Sequence, residues 1–190
     1  MGEEVQAFVA KAQTTYEAGL EMIQDMLGWS KIAQTDEIVC YRKPNADTNF
    51  DSLKVEIYIP KPPSEVSKYV HTNWNEINME LDEENIESQT LVKNYAENVD
   101  LYYVVGKART GVASRDLSYL LCMLQLDEAT FAMVGTSVDA GIPVKEGAVR
   151  GELITALHLF GPVSGDATKT HYQVVMLFDP KGQLPAALVN

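Results

Sequence analysis

Two cysteines in 190 residues, Cys40 and Cys122, leave no disulfide framework to staple a small fold. Both lie inside apolar runs, so they read as buried free thiols in a reducing compartment. Basic residues are scarce as well: 15 Lys and Arg stand against 27 Asp and Glu, a net charge of −12. A protein that grips phosphate backbones needs the opposite sign, so no nucleic-acid partner is expected. Firm anchoring on an anionic membrane is disfavoured for the same reason. Transient membrane contact stays open, because a local basic or apolar rim can act alone. No apolar run reaches the ~18 residues of a spanning helix. The opening MGEEVQAFVAKAQ has no basic stretch followed by a continuous apolar one, so it does not read as a signal peptide. The residues after Met1-Gly2 lack the Ser or Thr of a myristoylation site. The expected setting is the cytoplasm.

Catalytic and metal templates are missing too. The three histidines, His71, His158 and His171, have no HxxxH or CxxC companions, and no zinc site is expected. GxSxG does not occur. GPVSGDATKT, at 161–170, places Gly165 and Lys169 at the wrong spacing for a phosphate loop and has no βαβ unit around it. The acidic group Glu80, Asp82, Glu83, Glu84 and Glu87 lacks the alternating ligands and central glycine of a calcium loop. No cofactor is implied. Candidate acid–base groups exist in Asp116, Asp139, Arg150, Glu152 and His158, but ion pairing within loops and strands accounts for most of them.

What is present is a core. Hydrophobic residues make up 46% of the chain and charged residues 22%, enough for one domain spanning 1–190. Val5, Phe8, Val9, Ala12, Tyr16, Leu20, Ile23 and Leu27 recur at three- and four-residue spacing, which predicts a helix over 3–27 stopped by Gly28. Trp29 then docks it on a sheet. Strands are predicted at 29–32, 38–42 and 53–59. The last alternates, with Leu53, Val55, Ile57 and Ile59 on a buried face and Lys54, Glu56 and Tyr58 on a wet one. Pro60, Pro62 and Pro63 end that strand, and Ser64 is placed to cap a helix over 64–78 that buries Val66, Tyr69, Val70, Trp74 and Ile77. Six further strands follow at 86–95, 99–107, 117–126, 130–137, 149–160 and 170–179, linked by Gly-, Asp-, Asn- and Pro-bearing turns. Residues 184–190 read as the start of a last helix. The fold class is α+β, with an antiparallel sheet of about nine strands, which tends to curl. Its centre is LYYVVGKARTGVASRDLSYLLCML (101–124), two strands apolar on both faces around a polar loop.

That hairpin carries a resemblance. GVASRDLSYLL, then VGTSV and GAVRGE, then TKTHYQVVMLFDPKGQLPAALVN, with GWSKIAQTDEIVCYRK and LKVEIYIPKPPSEVSKYV before them, resemble the START domain, the steroidogenic acute regulatory protein–related lipid-transfer module. The resemblance covers about residues 3–190 in order. It implies a helix-grip fold, in which a curved antiparallel sheet wraps a C-terminal helix and encloses a tunnel for one lipid. It implies lipid binding and transfer between membranes, without chemistry. The partner it implies is a phospholipid, a sterol or another apolar molecule.

By strand parity within the resemblance, the tunnel wall is expected to include Tyr102, Val104, Leu117, Tyr119, Leu121, Phe131, Met133, Leu153, Ala156 and His158, with Val174 and Met176 beside them. The entrance loop is expected to run from Arg109 through Val112 to Arg115 and Asp116, the last two pairing to hold its shape. Sterol-carrying members place an acidic residue opposite an arginine in the tunnel, and Tyr102 and Leu121 are expected at those places here. The terminal helix has barely begun at Asn190, so an open tunnel that drives dimerisation is a further expectation. Two other readings stay open. One is an enzyme of the helix-grip superfamily, a cyclase or hydrolase using His158 or Tyr119 on an apolar small molecule. The other is a lipid-sensing regulatory domain of a larger protein.

Overall fold

The stripe of apolar residues near the N-terminus does fold into a helix, α1 (Glu3–Gln24), in a computed structural model that describes residues 3–45, 48, 50–182 and 184. Phe8, Ala12 and Ile23 bury its inner face. The helix ends four residues before Gly28, whose φ of 81° turns the chain back toward the sheet. Leu27 therefore lies outside the stripe and is exposed, while Trp29 packs against the same core as the helix.

Ten strands follow, with two short helices after the third. They are β1 (Ser30–Gln34), β2 (Ile38–Lys43), β3 (Ser52–Ile59), β4 (Ile86–Ala96), β5 (Val99–Gly106), β6 (Ser114–Gln125), β7 (Phe131–Ser137), β8 (Ala148–Arg150), β9 (Glu152–Val163) and β10 (Asp166–Asp179). They form one open sheet in the order β1-β2-β3-β10-β9-β7-β6-β5-β4, antiparallel along that path, with β8 alone pairing in parallel with β6. The tenth strand arises because the predicted 149–160 strand breaks at Gly151. There the backbone turns so that Gly151 N–H donates to Asp116 C=O at 2.9 Å. A Cβ at Gly151 would stand 2.8 Å from the Phe178 ring, which no side chain could occupy without displacing it.

The middle helix is also two elements, α2 (Pro63–Thr72) and α3 (Trp74–Leu81), broken at Asn73, whose φ and ψ are −105° and 20°. Asn73 Nδ2 donates to Tyr69 C=O at 2.8 Å, a side-chain bond that competes with helix propagation. Pro62 rather than Ser64 stands at the N-cap of α2, with Pro63 at the first helical position. Tyr69 points outward rather than inward. The predicted terminal helix at 184–190 falls almost wholly outside the described residues.

Each face of the sheet has its own core. Helix α1 covers one, packing on Val99, Leu101, Leu120, Cys122, Val134, Leu157 and Val175. The α2–α3 pair covers part of the other. Strand β3 departs from its expected alternation. Its register with β10 puts Leu53, Val55, Ile57 and Ile59 on the α2–α3 face, as predicted, yet Leu53 is 41% exposed while Lys54 is 1% exposed. Lys54 lies under the end of α1, where its ammonium donates to Ile23 C=O at 3.0 Å and pairs with Glu56 at 2.9 Å. A cation at a helix C-terminus meets the free carbonyls there, and this explains a burial that alternation alone forbids. Both thiols are free. Cys122 is buried, and burial pushes its pKa up to about 11, whereas Cys40 is only partly covered.

Candidate ligand-binding face

Antiparallel register decides which side chains share the α2–α3 face. Tyr102 pairs with Tyr119, Val104 with Leu117, Leu121 with Gly135, Met133 with His158, Phe131 with Phe160, and Gly135 with Ala156. Strand β10 adds Val174 opposite His158 and Met176 opposite Ala156, and Leu153 faces Phe178. All twelve predicted wall residues therefore lie on one face. Nine of them, from Tyr102 to Ala156, join Val66 of α2, Trp74 of α3 and Phe160 in a single apolar cluster. Toward β3 this face is barer: Met176 is 39% exposed, and a cleft of about 330 Å³ lies between Phe50, Leu53, Met176, Phe178, Pro180 and Leu184.

The polar groups around Tyr119 and His158 are uncharged and bonded to one another. Trp74 Nε1 donates to Tyr119 Oη at 2.8 Å. The Tyr119 hydroxyl and Asn78 Nδ2 donate in turn to Gln89 Oε1, at 3.4 and 3.2 Å. Tyr102 stacks on Tyr119, ring centroids 5.6 Å apart. His158 Nδ1 lies 2.7 Å from Tyr172 Oη, and the Trp74 ring stands edge-on to the imidazole at 5.1 Å. Desolvation by these walls lowers the His158 pKa to about 4, so the ring is neutral near pH 7. Burial pushes the phenols of Tyr119 and Tyr172 above their ordinary range and that of Tyr102 to about 12.

Sequence parity missed Gln89, Asn78 and Trp74 as a polar set, because each is an ordinary residue on its own element and only the docking of α3 on β4 brings them together. The expected charge position is corrected as well. The residue across from Leu121 is Asp100, not Tyr102, since Tyr102 pairs with Tyr119. A carboxylate therefore is present on this face. Its partners come from outside β6: Asn94 Nδ2 at 2.7 Å and, from the last turn of α2, His71 Nε2 at 3.4 Å.

The entrance loop is shorter than expected. Arg109 and Val112 bridge across a tight turn around Gly111, whose φ is 77°, and Arg109 also binds Asn85. Arg115 and Asp116 already belong to β6 and do not pair with each other. Arg115 donates to the carbonyls of Ala113, Pro180 and Lys181 at 2.7, 3.0 and 3.0 Å, tying the hairpin to the end of β10. Asp116 points to the α1 side of the sheet, where Arg150 Nε at 2.8 Å is its cation. Tyr103 Oη at 2.6 Å and Lys145 N at 2.8 Å complete its shell.

The other acid–base candidates fall on that side too. Asp139, Arg150 and Glu152 line a crevice of about 660 Å³ with Lys11, Ser118 and Lys181. Its charges are spent on each other and on the backbone: Glu152 pairs with Lys181 at 2.9 Å, and Lys11 donates to Ser137 C=O. Among the described residues, no three His, Cys, Asp or Glu side chains cluster as metal ligands would, and no helix is long and apolar enough to cross a membrane.

The sequence profile described as the START domain matches residues 10–190. No curated protein matches the sequence. Among solved structures, human StAR-related lipid transfer protein 5 superposes with a TM-score of 0.77 at 18% identity, over 97% of this chain and 88% of that one. Human STARD10 superposes with a TM-score of 0.72 at 19% identity, over 92% and 70% of the two chains. A STAR-related lipid transfer protein fragment from Xanthomonas axonopodis gives 0.68 at 20% identity, over 86% and 88%. The α+β architecture is thus of the helix-grip kind.

Proposed function

The chain belongs to the START domain family, and from that premise we propose that it holds one lipid against the α2–α3 face and carries it between membranes without altering it. The observation that supports this is the continuity of the face. Apolar side chains run from Tyr102 on β5 to Met176 on β10, and Trp74 with Tyr119 and His158 with Tyr172 are neutral hydrogen-bonded pairs among them. Such a surface takes up an acyl chain or a fused ring at little cost in polar desolvation. The lipid moves from one water-excluded place to another, while the acidic exterior keeps the complex soluble. Entry requires α2 and α3 to part from the sheet, and the break at Asn73 gives them a joint. The protein works in the cytoplasm and meets membranes only in passing.

The His158–Tyr172 pair is what an enzyme reading would use, and its environment argues against that use. A base whose pKa lies near 4 and a phenol pushed above its ordinary range exchange protons poorly at neutral pH. The test is direct. Lipid extracted from purified protein, and native mass spectrometry of the complex, should show about one lipid per chain. Protein that is empty, and that also takes no fluorescent lipid from vesicles, sinks the proposal.

A further inference from the structure

Gln89 is an oddity on this face. It sits on the edge strand β4, in register with Val104, and is 8% exposed. Two donors converge on its Oε1, from Asn78 and from Tyr119, whose own oxygen already accepts from Trp74. That convergence sets the orientation of the amide. Its Nε2 is left buried with no hydrogen-bond partner among the described residues. A buried amide donor without an acceptor costs free energy, and it persists where something outside the protein supplies the acceptor.

The charge around it narrows what that acceptor is. Among the described residues, the side-chain hydrogen bonds that join Trp74, Tyr119, Asn78 and Gln89 involve no Lys or Arg. A formal anion on this face is Asp100, two residue pairs along β5 and β6 from the Tyr102–Tyr119 pair. A phosphate brought here meets a carboxylate and no guanidinium or ammonium fork to receive it. A hydroxyl or carbonyl oxygen meets an amide N–H.

We infer that Gln89 Nε2 reads the uncharged oxygen of a neutral-headed lipid, and that the site discriminates against lipids carrying phosphate. This rests on the lipid-binding reading above and narrows it to a head chemistry shared by sterol hydroxyls and acylglycerol hydroxyls or esters. The test uses the full chain and vesicles doped separately with fluorescent sterol, diacylglycerol, phosphatidylcholine or phosphatidylserine. Uptake of sterol or diacylglycerol should exceed that of both phospholipids by at least about tenfold, and the better of those two neutral probes identifies the source of the oxygen. Gln89→Leu should lower neutral-lipid uptake by about three- to thirty-fold and leave the weak phospholipid signal unchanged. Gln89→Glu, the same shape without the donor, provides the comparison if the leucine variant does not fold, and should show the same loss. Phospholipid taken up as readily as neutral lipid by the wild type overturns the inference while leaving lipid binding intact. Full neutral-lipid uptake by a folded Gln89 variant overturns it as well, by assigning the free N–H to a purely structural role. Failure of all four probes overturns lipid binding itself.

Discussion

Arg150→Met tests how the central hairpin is held. The Asp116 carboxylate, whose side chain is 0% exposed, receives Arg150 Nε at 2.8 Å and Nη2 at 3.2 Å, besides Tyr103 and Lys145. Arg150 also donates to Ile142 C=O at 3.0 Å, so one guanidinium ties β6, β8 and the loop between β7 and β8. Removing one member of a buried pair costs about 3–5 kcal/mol. Arg150 is 28% exposed on its side chain, so water can reach the vacated place, and two donors remain. The low end, about 3 kcal/mol, is therefore expected. For a chain of this size that is a fall of roughly 6–12 °C in Tm. Asp116→Asn should cost less, about 1–2 kcal/mol, because the amide keeps the shape and the stranded arginine is partly hydrated. The double variant should fall short of the sum by at least about 1 kcal/mol. The pH dependence gives a second handle. Burial alone raises the Asp116 pKa, and the bonds from Arg150, Tyr103 and Lys145 outweigh it and hold the pKa below the ordinary value. In the wild type this contribution is full above the unfolded pKa of about 4 and is lost as pH falls through the lower folded pKa. In Arg150→Met burial prevails, the folded form binds its proton more readily than the unfolded one, and stability improves as pH falls toward 4. The gap between the proteins should thus be wide at pH 7 and narrow near pH 4. Urea unfolding followed by fluorescence of Trp29 and Trp74 measures it. A cost under about 1 kcal/mol at pH 7, or an equal cost at both pH values, would refute the reasoning.

Other positions give independent checks. Gly19→Ala should destabilise by about 1–3 kcal/mol despite alanine's better helix propensity, because a Cβ there stands 2.6 Å from Leu157 Cβ, on a fully buried residue that cannot yield; the urea midpoint reads it. Lys54→Met should cost about 2–4 kcal/mol, since it leaves the α1 carbonyls and Glu56 without their cation, and hydrogen exchange should show the last turn of α1 opening first. His158→Gln should flatten one segment of the stability–pH curve. The folded pKa of about 4 lies below the unfolded 6.5, so the unfolded chain takes the proton first and the wild type loses stability between pH 6.5 and 4, at up to about 1.4 kcal/mol per pH unit. Leu53→Lys together with Met176→Lys should reduce concentration-dependent self-association in sedimentation, since both residues stand bare on the apolar face.

Periodic features of the sequence translated directly into structure. The three–four spacing of Phe8, Ala12 and Ile23 became the buried stripe of α1, and period-two parity put twelve named residues on one face because antiparallel register preserves it from strand to strand. What parity could not show is which partner meets each side chain. Lys54 alternates like a solvent-facing residue, and only the end of α1, more than twenty residues upstream, makes it a core residue. Asp116 stands next to Arg115 in sequence, but adjacent strand residues point to opposite faces, so its cation comes from Arg150. Neighbours in sequence are the natural guess for an ion pair and the wrong one within a strand.

The same limit governs the binding face. A wall that is apolar throughout and a wall that reads a lipid head differ by a few neutral groups, and neutral polar residues carry no pattern of their own. Gln89 alternates as any edge-strand residue does, Asn78 and Trp74 sit among unremarkable helix positions, and Tyr119 passes for an apolar aromatic. Their meaning lies in who donates to whom: Trp74 to Tyr119, Tyr119 and Asn78 to Gln89, and Gln89 Nε2 to no group among the described residues. Charged anchors announce themselves in a sequence by type, and here the position across from Asp100 is filled by Leu121 instead of a cation. On the inference drawn above, specificity on this face rests on one direction of donation along a neutral chain. Reversing that direction, rather than adding or removing charge, is what would change the head that the lipid must carry.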